Sequence, residues 1–392
     1  MKGARIRYAA LVPRASIYVH FPYCLAKCPY CDFVSYKKAK DDIDHAGYAG
    51  AVIREIDARA GSFEGREVHS VFFGGGTPSL WAKPDLGRVL AHLRARFSFA
   101  DDVEITVECN PTSLDGAGAE ALYDAGVNRL SIGTQSLDRE ELAYLGRLHD
   151  PAGALRALRE ALASRMPRVS ADLIFGLPDQ PVERGRDQAM ALADLGLTHL
   201  SCYQLTIEPG TRFGELARAG RLPLADDGRV GEAFLLLDEA LSARGFRHYE
   251  ISNYALPGQE ARHNLGYWRG EEYLGLGCGA FGFLRTGADG VRYRNEIDPE
   301  RYLRHDGVPT KDEEPLSPLT LLRERIMLGL RLEGGFDLEA HARELGLEGF
   351  TPERSRAIEK LTTNGRLVRE GDALRIPKPA WLFADDTAAR LF

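Results

Sequence analysis

Between residues 16 and 205, short apolar runs alternate with amphipathic ones, and this alternation constrains the fold more than any other property of the chain. The strand candidates lie at 16–21, 68–74, 104–109, 129–134, 169–175 and 199–205, each rich in Val, Ile, Phe or Leu. Helical patterns fall between them at 44–61, 83–97, 115–125, 151–165 and 182–195. Strands joined by helical crossovers lie parallel, which makes the class α/β. Right-handed crossovers leave a doubly wound sheet or a barrel, and periodicity does not choose between them. In a barrel, chemistry collects at the carboxyl ends of the strands, where the loops are free to vary.

After residue 209 the pattern changes. A helical run at 226–243 precedes Phe246-Arg-His-Tyr-Glu-Ile251, and a Gly-rich region at 266–290 carries short strands around 281–295. Three helical patterns follow at 318–330, 337–345 and 352–363, then a segment at 366–376 whose Glu370-Gly-Asp is a hairpin signal. The expected division is a core at 1–210, an appendage over its mouth at 211–315, and a small α+β winged-helix-like C-terminal domain at 316–392.

The stretch Tyr18-Val-His-Phe-Pro-Tyr-Cys24-Leu-Ala-Lys-Cys28-Pro-Tyr-Cys31-Asp-Phe33 places three cysteines at C-x3-C-x2-C spacing just after the first strand. Thiolates bind soft metals, and a short loop gathers several sulfurs at little ordering cost. Structural zinc wants four closed ligands, and no fourth follows at a usable spacing, the next Cys and His being Cys109 and His45. Disulfide pairing is a second alternative, weakened by the odd number. Three thiolates on a 4Fe-4S cluster would leave one iron open to a small molecule.

With an aromatic before its last Cys, this loop resembles that of the radical S-adenosylmethionine (SAM) superfamily. The resemblance implies a partial (β/α)6 barrel, a 4Fe-4S cluster on Cys24, Cys28 and Cys31, SAM chelated to the open iron, and an electron donor for the cluster. Phe73-Gly74-Gly75-Gly76-Thr77-Pro78, after the second strand, resembles the segment that contacts the amino end of SAM in that superfamily. Glycines there let a ligand approach the backbone closely; a tight strand-to-helix turn is the plain alternative.

Further polar residues stand at or near the later strands: Glu108, Gln135, Arg147 and Asp172, with Thr206 after the sixth. Each could equally be a structural polar group, since buried ones need partners. The order of these segments resembles oxygen-independent coproporphyrinogen III oxidase and its relatives, which implies that Tyr18, Gly75, Glu108, Gln135, Arg147, Asp172 and Thr206 lie on SAM. The oxidase carries a further Cys two residues after the third cluster Cys, where this chain has Phe33, and a long arm ahead of its first strand. Decarboxylation of propionates is therefore the alternative expectation and not the first.

His263-Asn-Leu-Gly-Tyr-Trp268 points elsewhere. Imidazole is an axial ligand for haem iron, and Tyr267 and Trp268 could line a flat macrocycle, although a lone His beside aromatics is commonly a packed one. This segment, followed by Tyr273-Leu-Gly-Leu-Gly-Cys-Gly-Ala-Phe281, resembles the HemW family of haem chaperones. The resemblance implies that the chain binds haem, with His263 as a candidate ligand, and passes it to haem-acceptor proteins. Gly277-Cys-Gly-Ala-Phe-Gly282 matches G-x-G-x-x-G but does not open a βαβ unit, so a dinucleotide site is not expected. Cys109, Cys202 and Cys278 are expected to be inert buried thiols.

Composition excludes several other classes. The net charge of −7, with Arg scattered among Asp and Glu, gives no basic stripe for nucleic acid. Tyr8-Ala-Ala-Leu-Val12 is too short for a signal h-region and no stretch reaches the length of a membrane span, so a cytoplasmic protein is expected. Peripheral membrane contact through its acceptors, and a homodimer, are compatible with this expectation.

Overall fold

The computed structural model describes residues 13–392; the expectation drawn from the N-terminal residues falls on 1–12, outside the described residues. Six strands, β1 Arg14–Phe21, β2 Glu67–Gly75, β3 Ser98–Cys109, β4 Arg129–Gln135, β5 Val169–Phe175 and β6 His199–Gln204, lie side by side in sequence order and all parallel. Between them run α1 His45–Arg59, α2 Lys83–Arg96, α3 Gly116–Asp124, α4 Pro151–Ala163 and α5 Arg184–Ala193. Aspartates at the N-caps of three of these, Asp44, Asp115 and Asp150, accept from backbone N–H groups of the first turn and mark where each helix starts. On α4 the buried face is Gly153, Ala154, Ala157, Leu158 and Ala161, small enough to let the helix approach the sheet closely.

The alternation within the strands sorts the two faces. Ile17, Val19 and Phe21, with Val71 and Phe73, Ile105 and Val107, and Leu130 and Ile132, are all buried in the core against the helices. The intervening positions, among them Tyr18, His20, Glu108, Ser131 and Asp172, belong to the opposite face, which is unusually polar for a parallel sheet. Strand β3 begins earlier than the apolar run suggested, because Asp101 and Asp102 interrupt the pattern at a register shift against β2.

Residues 211–315, expected as a cover over the mouth, supply strands to both edges of the sheet. Beyond β6, β7 Arg247–Glu250 and β8 Asn253–Ala255 form an antiparallel edge. Outside β1, β9 Glu272–Leu276 adds a seventh parallel strand, with Gly275 opposite Tyr18. The antiparallel β10 Phe281–Thr286, β11 Asp289–Asn295 and β12 Thr310–Leu316 then complete a twelve-stranded sheet. Without these additions β1 and β6 would each present an unpaired edge.

The sheet is curled into a partial barrel. Ends of β2 to β6 span roughly 20 Å when laid flat at about 4.8 Å per strand, yet Gly75, Glu108, Gln135, Asp172 and Tyr203 all line one cavity. The long α6 Asp227–Ala243 packs on α5 and β7, and the short α7 Arg262–Trp268 packs on β2 and β1. The C-terminal region holds α8 Pro318–Gly329, α9 Leu338–Glu344, α10 Pro352–Thr363 and a three-stranded sheet whose hairpin turns at Gly371 with φ +66°. It joins the barrel through backbone bonds, Ile251 N–H to Arg331 C=O at 3.0 Å and Glu333 N–H to Tyr249 C=O at 3.1 Å. Among the described residues, no helix is long and apolar enough to cross a membrane.

Candidate functional site

The cysteine loop leaves β1 at Phe21 and is tied down along its length. Tyr36 N–H donates to Pro22 C=O at 2.7 Å, Lys38 N–H to Cys24 C=O at 2.9 Å, and Cys31 N–H to Cys28 C=O at 3.2 Å. His20 clamps its far end: Nε2 donates to Val34 C=O at 2.7 Å, so Nδ1 accepts from the Tyr18 hydroxyl at 2.9 Å. Burial pushes the His20 imidazole down to about 4, which keeps it neutral and holds this tautomer. Pro29 packs onto Gly146, where φ is +67° and a Cβ would stand 2.6 Å from the proline ring.

The three thiols are free and half-buried, and all line one cavity of about 740 Å³. That volume is within the roughly 300–1,000 Å³ of cofactor sites. Thr77 Oγ1 donates to Cys24 Sγ at 3.4 Å, and an Arg147 guanidinium N–H points at Cys28 Sγ from 3.5 Å. Hydrogen bonds and a cation at sulfur are what a thiolate cluster ligand needs. Burial raises the Cys31 thiol to about 11 and raises Cys24, so loading of a metal group must release their protons. Cluster thiolates bind different irons and need not meet at a point; among the described residues no three His, Cys, Asp or Glu are grouped to hold a single ion.

Gly74, Gly75 and Gly76 end β2 against this loop. Gly76 N–H donates to Phe21 C=O at 2.7 Å, and a Cβ there would meet the Phe21 and Tyr23 backbone within 2.8 Å. Gly75 takes φ +106°, and its N–H donates to Glu108 Oε2 at 3.1 Å. Thus Gly76 is glycine because the Phe21 and Tyr23 backbone closes on it, and Gly75 and Gly74 because the His20 ring and the Tyr18 and Phe72 rings leave no room for a Cβ.

Glu108, Gln135, Arg147, Asp172 and Thr206 line the same cavity as the cysteines. Burial, and then the negative charge of Asp172, push the Glu108 carboxyl up to about 8, and burial likewise raises Asp172, which accepts from Ser131 Oγ at 3.0 Å. A bound ammonium group would relieve both carboxyls. Arg147 donates to Gly133 C=O at 2.9 Å, while its buried Nε has no partner. Gln135 holds φ +64°, a left-handed conformation that costs a non-glycine residue of order 1 kcal/mol. The donor set therefore suits a zwitterion with a polar remainder.

Two expected site residues are elsewhere. Tyr18 is under the glycine strip, stacked with Phe72 at 6.3 Å, and is not part of the cavity lining. His263 is 1% exposed and also outside that lining. Ser70 Oγ donates to Ser16 Oγ at 2.8 Å, so it accepts from His263 Nδ1 at 3.0 Å. Tyr267 then donates to His263 Nε2 at 3.1 Å, its i+4 position on α7 setting the hydroxyl over the ring. Burial lowers this imidazole to about 3. As folded, the nitrogen lone pair that would bind iron is occupied from within its own motif.

The rest of the cavity wall was not foreseen. Phe234, Ile251, Arg331 and the tail residues Trp381, Leu382 and Phe383 complete the lining. Arg331 donates to Asp385 at 2.5 Å, and buried Trp381 donates to Ile376 C=O at 2.9 Å while its ring meets His248 edge-on at 4.3 Å. No local pattern marks these residues, since they meet the loop only through tertiary packing.

Comparison with known proteins adds the following. Residues 18–195 match the model of the radical SAM superfamily, and residues 316–383 match that of the HemN C-terminal domain. The chain is 42% identical over 271 residues to the heme chaperone HemW of Escherichia coli, covering 69% of this chain and 70% of that one. With HemW of Mycobacterium tuberculosis it shares 36% identity over 94% of its length and 92% of the relative's. With the bovine mitochondrial radical S-adenosyl methionine domain-containing protein 1 it shares 40% over 82% and 74%. The solved coproporphyrinogen III oxidase HemN of E. coli superposes with a TM-score of 0.81 at 21% identity, covering 98% of this chain and 91% of that one, a likeness of fold.

Proposed function

The chain belongs to the HemW family of radical SAM haem chaperones, and from that premise we infer how its own residues share the work. The superfamily brings a 4Fe-4S cluster and SAM, which together supply one-electron chemistry when bound. Cys24, Cys28 and Cys31 hold the cluster in this proposal, and Gly75, Glu108, Gln135, Arg147, Asp172 and Thr206 contact SAM. Glu108 and Asp172 face its ammonium group, and Arg147 balances its carboxylate. Tyr18 acts one step back, by fixing His20 and hence the end of the loop. The observation that carries this is the convergence of the three loop thiols with Glu108, Gln135, Arg147, Asp172 and Thr206 on one cavity.

Haem is the cargo, received and passed to acceptor proteins, with an electron donor serving the cluster. His263 remains the proposed iron ligand; to serve, Tyr267 must first swing off Nε2. We further propose that 1–210 binds cluster and SAM, that 211–315 carries the His263 segment, and that 316–392 closes the far side. A cytoplasmic location, peripheral membrane contact through acceptors, and a homodimer belong to the same proposal.

Anaerobic reconstitution followed by parallel assays tests it. Purified protein is expected to take up haem and transfer it to an apo-acceptor, and to leave coproporphyrinogen III unconverted in the presence of SAM and a reductant. Cys24→Ala, Cys28→Ala and Cys31→Ala should each abolish the cluster's absorption and electron-spin signals, whereas Cys109→Ala, Cys202→Ala and Cys278→Ala should keep them. Robust decarboxylation would overturn the chaperone assignment. An unchanged haem spectrum in His263→Ala would move the iron ligand elsewhere.

A further inference from the structure

Strand β2 carries one residue too many for β1. The register between them steps from Ala15 opposite Val68 to Ser16 opposite Ser70, and the pairing of β2 with β3 breaks over the same interval, so His69 is left without a counterpart. Successive side chains on a strand point to opposite faces, but a bulge re-aims them. Here it lets His69 and Ser70, adjacent in sequence, both reach Ser16. Ser70 Oγ donates to Ser16 Oγ at 2.8 Å, and His69 Nε2 is 3.2 Å from the same oxygen. Glu271, three residues past the end of α7, accepts from His69 Nε2 at 2.8 Å, so that nitrogen carries a proton and meets Ser16 as a donor. Ser16, His69 and Ser70 are all buried, and none of them lines the cavity.

This chain of bonds ends on His263. Buried, and with only hydroxyls on its two ring nitrogens, the imidazole is neutral and carries a single proton. Phe72 stacks on the ring at 4.9 Å and 20°, and Tyr267 meets it edge-on at 4.9 Å and 85°, so the two nitrogens cannot change places by a flip of the ring. Which nitrogen holds the proton is therefore decided by Ser70. With its own proton engaged on Ser16, Ser70 offers His263 Nδ1 only a lone pair, at 3.0 Å. Turned the other way, the same hydroxyl would donate to Nδ1 and send the ring proton to Nε2.

We propose that Ser16 and Ser70, with His69 and Glu271 behind them, are positioning residues that hold His263 as its Nδ1–H tautomer and so keep the lone pair on Nε2, the nitrogen offered to haem iron. The proposal rests on the reading of His263 as the iron ligand. In ligation the Tyr267 hydroxyl leaves Nε2, one Fe–N bond forms there, and the ring proton stays on Nδ1. Groups that orient a ligating histidine through its other nitrogen typically change metal affinity about 10–100-fold when they are removed.

The test is Ser16→Ala, which changes a residue that makes no hydrogen bond to His263 itself. Without Ser16 as acceptor, Ser70 should turn its hydroxyl onto Nδ1, and the His263 proton should move to Nε2, where Tyr267 can accept it. In the haem-free full chain, nitrogen NMR of isotope-labelled histidine reads this directly. The two ring nitrogens of His263, assigned by difference against His263→Ala, should exchange their protonated and bare chemical shifts. Ser70→Ala, which removes the acceptor outright, is a second route to the same exchange, and Ser16→Thr, which keeps an oxygen there, should retain the wild-type pattern. In parallel haem titrations Ser16→Ala should bind about ten-fold more weakly and give the spectrum of His263→Ala. A tautomer unmoved in the alanine variants would overturn the proposal. So would a switched tautomer that leaves haem affinity and spectrum as in wild type while His263→Ala alters them. A haem spectrum untouched by His263→Ala would strike the ligand assignment above, and the haem-free tautomer would still decide whether the serines position the ring.

Discussion

Glu108 shows what the cavity demands of a single residue. Its carboxyl, at about 8 in the fold against an ordinary 4.5, keeps a proton that the unfolded chain has already released across that interval. The folded state therefore binds more protons there, and stability must fall as pH rises from about 4.5 through about 8. Glu108→Gln should flatten that fall in denaturation midpoints measured across the interval, and an unchanged slope would remove Glu108 as its source. The sequence made the residue types at this site legible, because thiols, triple glycine and carboxylates at strand ends have few other uses together. It could not tell which polar side chains open into the cavity. Tyr18 and His263 have the right chemistry, but the polar inner face of the sheet gives them partners in Ser70, Tyr267 and His20 instead.

Among the elements, the five crossover helices and six parallel strands were legible because each buries one continuous apolar face. Strand β9 was not: Glu-Tyr-Leu-Gly-Leu is short, embedded in glycines, and becomes a strand only because β1 offers it an edge. The same holds for the segment 378–383, whose role comes from packing against α6 and β7. Trp381 is its anchor, 2% exposed and bonded to Ile376. Trp381→Ala should cost about 3–5 kcal/mol of stability and, by loosening the wall of the cavity that takes SAM in the proposal, weaken SAM binding. Thermal melts and SAM titration of the variant would check both, and a wild-type melting temperature would show that the segment is not anchored there.

At the scale of the molecule, one hydrophobic cluster runs from Ala15 through Trp81, Leu130, Leu237 and Phe336 to Leu391. Barrel and C-terminal region should consequently unfold together, giving coincident far-ultraviolet and tryptophan-fluorescence transitions; two separated transitions would show independent domains. Because the cavity is walled both by Cys24 to Cys31 and by Trp381 to Phe383, its completion is also a matter of time. The ribosome adds roughly 5–20 residues per second, so on the order of tens of seconds separates the cysteines from the tail that completes the wall. A chain released before Trp381 would still carry every proposed ligand but lack the wall that Trp381 to Asp386 give the cavity.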